Sequence, residues 1–326
     1  MIKYIVKRLG SLGVVLVGTS IVVFALVHLQ PGNPYSTMIN PNVSPERFEA
    51  MLREVGYYDP LYVQYAKWAG RALKGDLGYS IQYKAPVLAL IGERLGNTIG
   101  LALIASLIGG VLAIPFGIIS ASKKYSLFDY LVTGLSFLGI SIPSFFLGML
   151  LIKWFSFDLQ WLPASGMKTV GTNYRGWAYG VDLLKHLIMP AVVLSFLNLA
   201  TLMRYTRSAM LDVIGQDFIR TAQGKGLTWG QAVWRHGFKN ALIPIITIVC
   251  MQIPFLFSGA LITETIFVWP GIGRLNYEAI LARDYPLIMG ILMVSALIII
   301  VSNLLADILY ALADPRIRYG GEWHED

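Results

Sequence analysis

Apolar residues gather along this chain in six runs of membrane-spanning length, separated by polar stretches. The runs lie near Leu9–Gln30, Thr98–Ala121, Tyr130–Ile152, Leu187–Met203, Ala241–Thr263 and Pro286–Ala306. A helix needs about 20 mostly apolar residues to cross a hydrocarbon core about 30 Å thick. The pattern therefore predicts an all-α, polytopic membrane protein with about six transmembrane helices, the short fourth run having the loosest boundaries. The first run exceeds a signal-peptide core, and LVHLQPGNP after it has no small-x-small cleavage pattern, so it reads as a first span. From the second to the sixth, the runs as delimited hold no Asp, Glu, Lys or Arg. Ionisable groups inside spans mark proton relays and ion pathways, so this bare interior argues against a proton-driven carrier. His28, Glu264 and Asp307 fall near run ends, and for His28 and Asp307 an interfacial position is the simpler reading.

Between the fourth and fifth runs the pattern changes. Residues 215–244 read GQDFIRTAQGKGLTWGQAVWRHGFKNALIP, polar and basic between two very apolar neighbours. A phosphate loop is excluded: Gly226 follows Lys225 where Ser or Thr is required, and Ile219 stands where the first glycine should be. From Arg204 to Ala222 apolar residues recur every four positions, at Tyr205, Ala209, Val213 and at Met210, Ile214, Phe218, Ala222. That spacing predicts an amphipathic helix. Gly224 and Gly226 permit a reversal with positive φ. Thr228 with Gln231 forms a capping box for a second helix carrying Val233, Trp234 and Phe238. A helix–turn–helix of this kind fits a partner's groove or, equally, lies on anionic headgroups.

Composition fixes the solvent. Hydrophobic residues make up 56% of the chain, charged residues 14%, against about 25% charged in soluble domains. With an inward N-terminus, the segments 1–8, 122–129, 204–240 and 311–326 hold 13 Lys and Arg in 69 positions. The segments 31–97, 155–186 and 268–286 then hold 12 in 118, so basic density is higher inside, as the positive-inside bias requires. Both termini are expected in the cytoplasm. The net charge of +7 is then a topology signal, and no nucleic-acid partner is implied. The single cysteine, Cys250, sits in an apolar run as a small hydrophobe, and no His, Cys or carboxylate group has metal-ligand spacing. No linker divides the chain, which reads as one transmembrane domain over 1–326 with an outer loop at 31–97 and a cytoplasmic loop at 204–240. Within the outer loop, Leu61, Tyr62, Tyr65, Trp68 and Ala69 are spaced for an amphipathic helix over Asp59–Leu73.

Residues 215–244 resemble the cytoplasmic "EAA" loop of ATP-binding-cassette importer permeases, in the form found in the peptide/nickel subfamily. Thr221, Ala222 and Gly226 match the Ala-Ala-x-x-x-Gly core. Arg220 stands where the general motif has Glu, and Gly226 to Pro244 is longer than in sugar-type permeases; both departures are usual in the peptide branch. IVKRLG…VFALVHLQPGNP, DPLYVQYAKWAGRALKGDLGYS, WLPASG, TETIFVWPGIGRL, RDYPLIMG and YALADPRIRYG are similar to further landmarks of the B-type oligopeptide and dipeptide permease subunits.

The resemblance implies a type I importer permease fold in a prokaryotic inner membrane, forming half of a pathway with a homologous second permease. Two cytoplasmic ATPases would bind ATP and Mg, leaving this chain without a cofactor or enzymatic activity, and an extracytoplasmic binding protein would deliver peptide. Arg220, Thr221, Ala222, Lys225, Gly226, Leu227 and His236 are the expected contact with the ATPase. Ser141, Ser144, Asn198, Gln252 and Ser258 are candidates for a wet path, with Glu264 either at its outer mouth or a solvated interfacial carboxylate. Tyr62, Tyr65, Trp68, Trp161, Trp269 and Arg274 form a candidate platform for the binding protein, the alternative being aromatic anchoring in the headgroups. A secondary carrier for small solutes, or a permease for nickel chelates or glutathione, remains the other transport reading. A membrane enzyme has no nucleophile–base or metal constellation to support it.

Overall fold

The computed structural model describes residues 2–29, 44–54 and 56–313. Among these the regular structure is helical, with one isolated bridge between Tyr79 and Pro86. The helices are α1 (Ile2–His28), α2 (Pro45–Glu54), α3 (Leu61–Ala72), α4 (Val87–Ser122), α5 (Leu127–Ser141), α6 (Ser144–Leu151), α7 (Trp177–Ile214), α8 (Asp217–Gly224), α9 (Trp229–Ala232), α10 (Phe238–Ile266), α11 (Ile272–Ala282) and α12 (Tyr285–Ala313). π-helical turns extend α6 over Ile152–Asp158 and join α9 to α10 over Val233–Gly237.

Gly10–His28, Val87–Ser122, Trp177–Phe196 and Tyr285–Ile308 are each long and apolar enough to cross a membrane. The fifth apolar run lies inside the 29-residue α10. The third run departs from expectation, because it is two helices, α5 and α6, meeting at a bend of 101°. Pro143 causes the break: the residue before proline is pushed to extended backbone, and Ile142 sits at φ −80°, ψ 120°. The fourth run is embedded in a helix of 38 residues, extending well beyond it on both sides. Residues 31–43 of the outer loop lie outside the described residues; the rest supplies α2, α3 and the first turns of α4.

The chain forms two compact units. The first comprises Met1–Gly96 and Arg274–Ile298. In it the amphipathic helix expected around Asp59–Leu73 is present as α3, and its aromatic face lies on the end of α1. The Phe24 ring is 5.3 Å from that of Tyr65 and 6.1 Å from that of Trp68, and the Tyr65 hydroxyl is 2.8 Å from Ser20 Oγ. Asp284 caps α12 by accepting from the Leu287 N–H at 3.2 Å, and its other oxygen accepts from Ser80 Oγ at 2.5 Å. Tyr83 donates to Glu278 at 2.6 Å; burial, then this bond, push its phenol up to about 12, so it remains a neutral donor at neutral pH.

The second unit comprises Asn97–Gly273 and Ile299–Asp326, and its axis is α7, packed against α5 and α10. One apolar cluster joins Ile118 and Ala121 of α4, Val132 of α5, Met203 and Met210 of α7, Val233, and Ala241 and Ile245 of α10. Another gathers Leu101, Ala105, Ala191, Leu194 and Ala260 around Trp269. Small residues let the backbones approach: a Cβ on Gly139 would lie 2.8 Å from Ala200 Cβ.

Candidate coupling site

The amphipathic stretch from Arg204 to Ala222 is not one helix. α7 ends at Ile214, Gln216 is extended at φ −84°, ψ 154°, and α8 starts at Asp217. The change of direction lets two short helices fold back on each other. α8 closes at Gly226, whose φ of +92° lies in the left-handed region that glycine enters without strain. The Gly226 N–H donates to Gln223 O at 2.9 Å and the Leu227 N–H to Ala222 O at 3.3 Å, tying off the helix end. Thr228 and Gln231 then form both halves of the expected capping box at the start of α9.

The hairpin has its own small core of Ile219, Ala222 and Ala232, flanked by Phe218 and Leu227. Gly237 brings it against α7: a Cβ there would sit 3.5 Å from Met210 Cε and 3.6 Å from Ile219 Cδ1. Burying that stripe leaves Arg220, Thr221, Lys225, Arg235, His236 and Lys239 exposed, with Trp229 and Trp234 also open. Arg220 lies 3.7 Å from Asp217 with both side chains solvated, a pair that contributes little to stability. The result is a basic, aromatic-studded knob on a rigid turn. Of the seven residues expected to meet an ATPase, five are exposed here, while Ala222 and, in part, Leu227 hold the turn together.

Comparison with known proteins gives this geometry its context. Residues 113–319 match the family described as binding-protein-dependent transport system inner membrane component, and residues 1–102 match its N-terminal companion. The chain belongs to this family. Among its relatives, the oligopeptide transport system permease protein AppB of Bacillus subtilis (strain 168) is 43% identical over 320 residues, covering 98% of this chain and 100% of that one. The dipeptide transport system permease protein DppB of Escherichia coli (strain K12) is 37% identical over 337 residues, covering 98% and 99%. The fold is similar to that of a solved structure of the MetNI methionine ABC transporter in inward-facing conformations. The TM-score is 0.53 at 12% identity, over 70% of this chain and 97% of that one. The chain is thus a multi-pass inner-membrane permease component of a transport system with ATPase and other subunits.

Several residues singled out in the sequence of this permease component take unexpected positions. Glu264 is neither a solvated carboxylate nor open at a mouth: it is 0% exposed, and Thr98 Oγ1 donates to it at 2.7 Å. The same Thr98 oxygen accepts from the Ile272 N–H at 2.8 Å, so the turn after α10 is fastened to α4. Trp269 is 2% exposed with Nε1 donating to Asn97 O at 3.2 Å, which removes it from any docking platform. Trp68 is likewise buried and Tyr65 half-buried, whereas Tyr62 and Trp161 are open, at 76% and 65%. Arg274 is half-buried and donates to Glu278 at 2.8 Å. Of the path candidates, Ser141 is exposed but donates to Phe137 O, and Ser144, Asn198 and Gln252 are half-buried. The side chains of Ser258 and Cys250 lie outside the described residues.

One cluster went unread in the sequence: Asp129, Arg207 and Ser120 at adjoining ends of α4, α5 and α7. The available signal was Ser126 three residues before Asp129, a capping pattern ahead of an apolar run, and Ser126 Oγ does accept from the Asp129 N–H.

Proposed function

We propose that this chain is one permease subunit of an ATP-driven importer for oligopeptides or dipeptides. Relatedness to oligopeptide and dipeptide permeases over 98% of the chain is the observation that carries this reading. In it, a homologous second permease completes the pathway, and the exposed α8–α9 knob seats in a cytoplasmic ATPase. Two such ATPases bind ATP and Mg, and an extracytoplasmic protein brings the peptide. This chain then needs no cofactor and catalyses no reaction of its own. The Lys and Arg asymmetry supports both termini in the cytoplasm. Because only differential binding shifts a conformational equilibrium, the ATPases must grip the knob differently in their two states.

The test is uptake of labelled dipeptides and pentapeptides by proteoliposomes holding the whole complex and its binding protein. Uptake should require ATP inside and persist when the proton gradient is collapsed. Uptake driven by a proton gradient without ATP would defeat the reading. A nickel chelate or glutathione taken up in place of peptide would redirect it to another branch of the family.

The outer docking surface makes a separate prediction. Photo-crosslinkers placed at Tyr62 and at Trp161 should each capture the peptide-loaded binding protein, because both side chains are open. The same group at Trp269 should not, since that ring is enclosed. Adducts to lipid alone at Tyr62 and Trp161 would assign these aromatics to the headgroup region instead.

A further inference from the structure

Four donors converge on the carboxylate of Asp129, which is 2% exposed. Arg207 Nε reaches Oδ1 at 2.7 Å and its Nη2 reaches Oδ2 at 2.9 Å, a two-point fork. Ser120 Oγ donates to Oδ1, and the Tyr125 N–H donates to Oδ2 at 2.9 Å. The donors come from the last turn of α4, from the α4–α5 turn, and from α7. Beside them α4 and α7 touch backbone to backbone: a Cβ on Gly117 would lie 2.9 Å from Met203 O and 2.7 Å from Thr206 Cβ. Further along α7, Met210 and Val213 lie against Gly237 at the base of the α8–α9 hairpin, where a Cβ would also sit 3.6 Å from Ile219 Cδ1. A continuous line of contacts therefore runs from the hairpin through the end of α7 to the starts or ends of two spans.

Packing alone does not require charge here. A buried ion pair is often no more stabilising than apolar residues of the same volume, so its gain is directional rather than cohesive. Apolar surfaces such as the Met210–Val233 cluster can slide, whereas a fork with both carboxylate oxygens doubly bonded resists both rotation and sliding. We propose that the Asp129–Arg207 pair is the strut that passes movement of the hairpin, through α7, to α4 and α5. The proposal rests on the coupling role given to the hairpin above. Asp129 and Arg207 act as positioning residues; neither is assigned contact with peptide or nucleotide.

The test uses the complete complex in proteoliposomes, with wild type, Asp129→Asn and Arg207→Lys compared in a Cys250→Ser background. Two quantities are read: ATP hydrolysed per peptide imported, and labelling of a cysteine replacing Leu135, an exposed residue of α5, with and without ATP. Wild type should show ATP-dependent labelling. Asp129→Asn should assemble and hydrolyse ATP, spend about 2- to 30-fold more of it per peptide, and lose the response of α5 to ATP. Arg207→Lys keeps the charge without the fork and should fall between. An unchanged ratio with α5 still responding would overturn the strut. So would uptake and hydrolysis falling together in step with the amount of assembled complex. Should Asp129→Asn fail to accumulate, Arg207→Lys and Ser120→Ala decide by the same two readouts. A wild-type complex that hydrolyses ATP without importing peptide would defeat the functional reading; the strut would still be judged by whether α5 follows ATP in wild type and not in the variants.

Discussion

Replacing Gly226 by valine is expected to leave the permease in the membrane while ATP hydrolysis no longer drives uptake. At φ +92° the backbone is where L side chains are strained, and a β-branched residue most of all. Nothing lies within 4 Å of a Cβ built at this position, so the strain is local to the turn and does not propagate by collision. Left-handed backbone costs a non-glycine residue about 1–2 kcal/mol, enough to lower the population of the native turn by about 5- to 30-fold. The turn is what orients α8, with Arg220 and Lys225, relative to α9, while the α7 contacts that hold the hairpin base, Met210 and Val213 on Gly237, are untouched. Peptide uptake per ATP should therefore fall by about 5-fold or more in Gly226→Val. Gly226→Asn should stay close to wild type, since asparagine tolerates this region. The measurement is uptake and hydrolysis in the same proteoliposomes, with membrane-resident protein quantified. Normal uptake by well-expressed Gly226→Val would remove the hairpin turn from the coupling site.

What could be read in advance follows the range of the interactions involved. The capping box of Thr228 and Gln231, the reversal at Gly226 and helix α3 are local: each is written in residues a few positions apart. The break between α5 and α6 was also encoded locally, in Ile142-Pro143, but an unbroken apolar run hid it. Hydropathy reports which solvent a segment prefers and says nothing of its direction. The burial of Trp269 and Glu264 is not legible in the sequence for a different reason. Both stand at the edge of an apolar run, where an interfacial position is the default, and what buries them is Asn97 and Thr98, more than 160 residues away. In the sequence Arg207 reads as one more cytoplasmic charge, its partner Asp129 lying 78 residues earlier. Pairings over such separations are fixed by helix packing, which a single sequence does not spell out.

The ends of the helices in the second unit thus carry the charged fastenings that the apolar runs lack. The carboxylate of Asp129 gathers α4, α5 and α7, and the carboxylate of Glu264, through Thr98, gathers α4, α10 and the turn that follows α10. Buried polar groups of this kind hold position only when satisfied.

The fastening at Glu264 predicts the second large effect, on stability rather than coupling. Gly271 and Gly273 lie directly against α10, and alanine should be destabilising at both, for separable reasons. A Cβ on Gly273 would sit 2.5 Å from Leu261 Cα and 2.9 Å from Leu261 N, backbone atoms that cannot step aside. A Cβ on Gly271 would sit 2.2–2.4 Å from the carboxylate atoms of Glu264, which is the far end of a side chain. Overpacking a tight site costs typically about 1–3 kcal/mol, so each single variant should melt earlier in detergent and accumulate less. Shortening Glu264 opens the space that Gly271→Ala needs while leaving the Leu261 backbone in place. Glu264→Ala should therefore destabilise alone yet soften the effect of Gly271→Ala, a coupling of about 0.5–3 kcal/mol in a double-mutant cycle. Combined with Gly273→Ala it should show a smaller coupling, because the main collision survives. The measurement is thermal unfolding of the purified chain for the three singles and the two doubles beside wild type. Equal rescue of both glycine variants by Glu264→Ala, or a Gly273→Ala protein as stable as wild type, would mean that the turn after α10 is not seated on Leu261 and Glu264 as described. Unlike Gly226→Val, whatever Gly273→Ala protein survives should import peptide at the wild-type ratio of uptake to ATP hydrolysed, since its fault lies in packing and not in the turn that meets the ATPase.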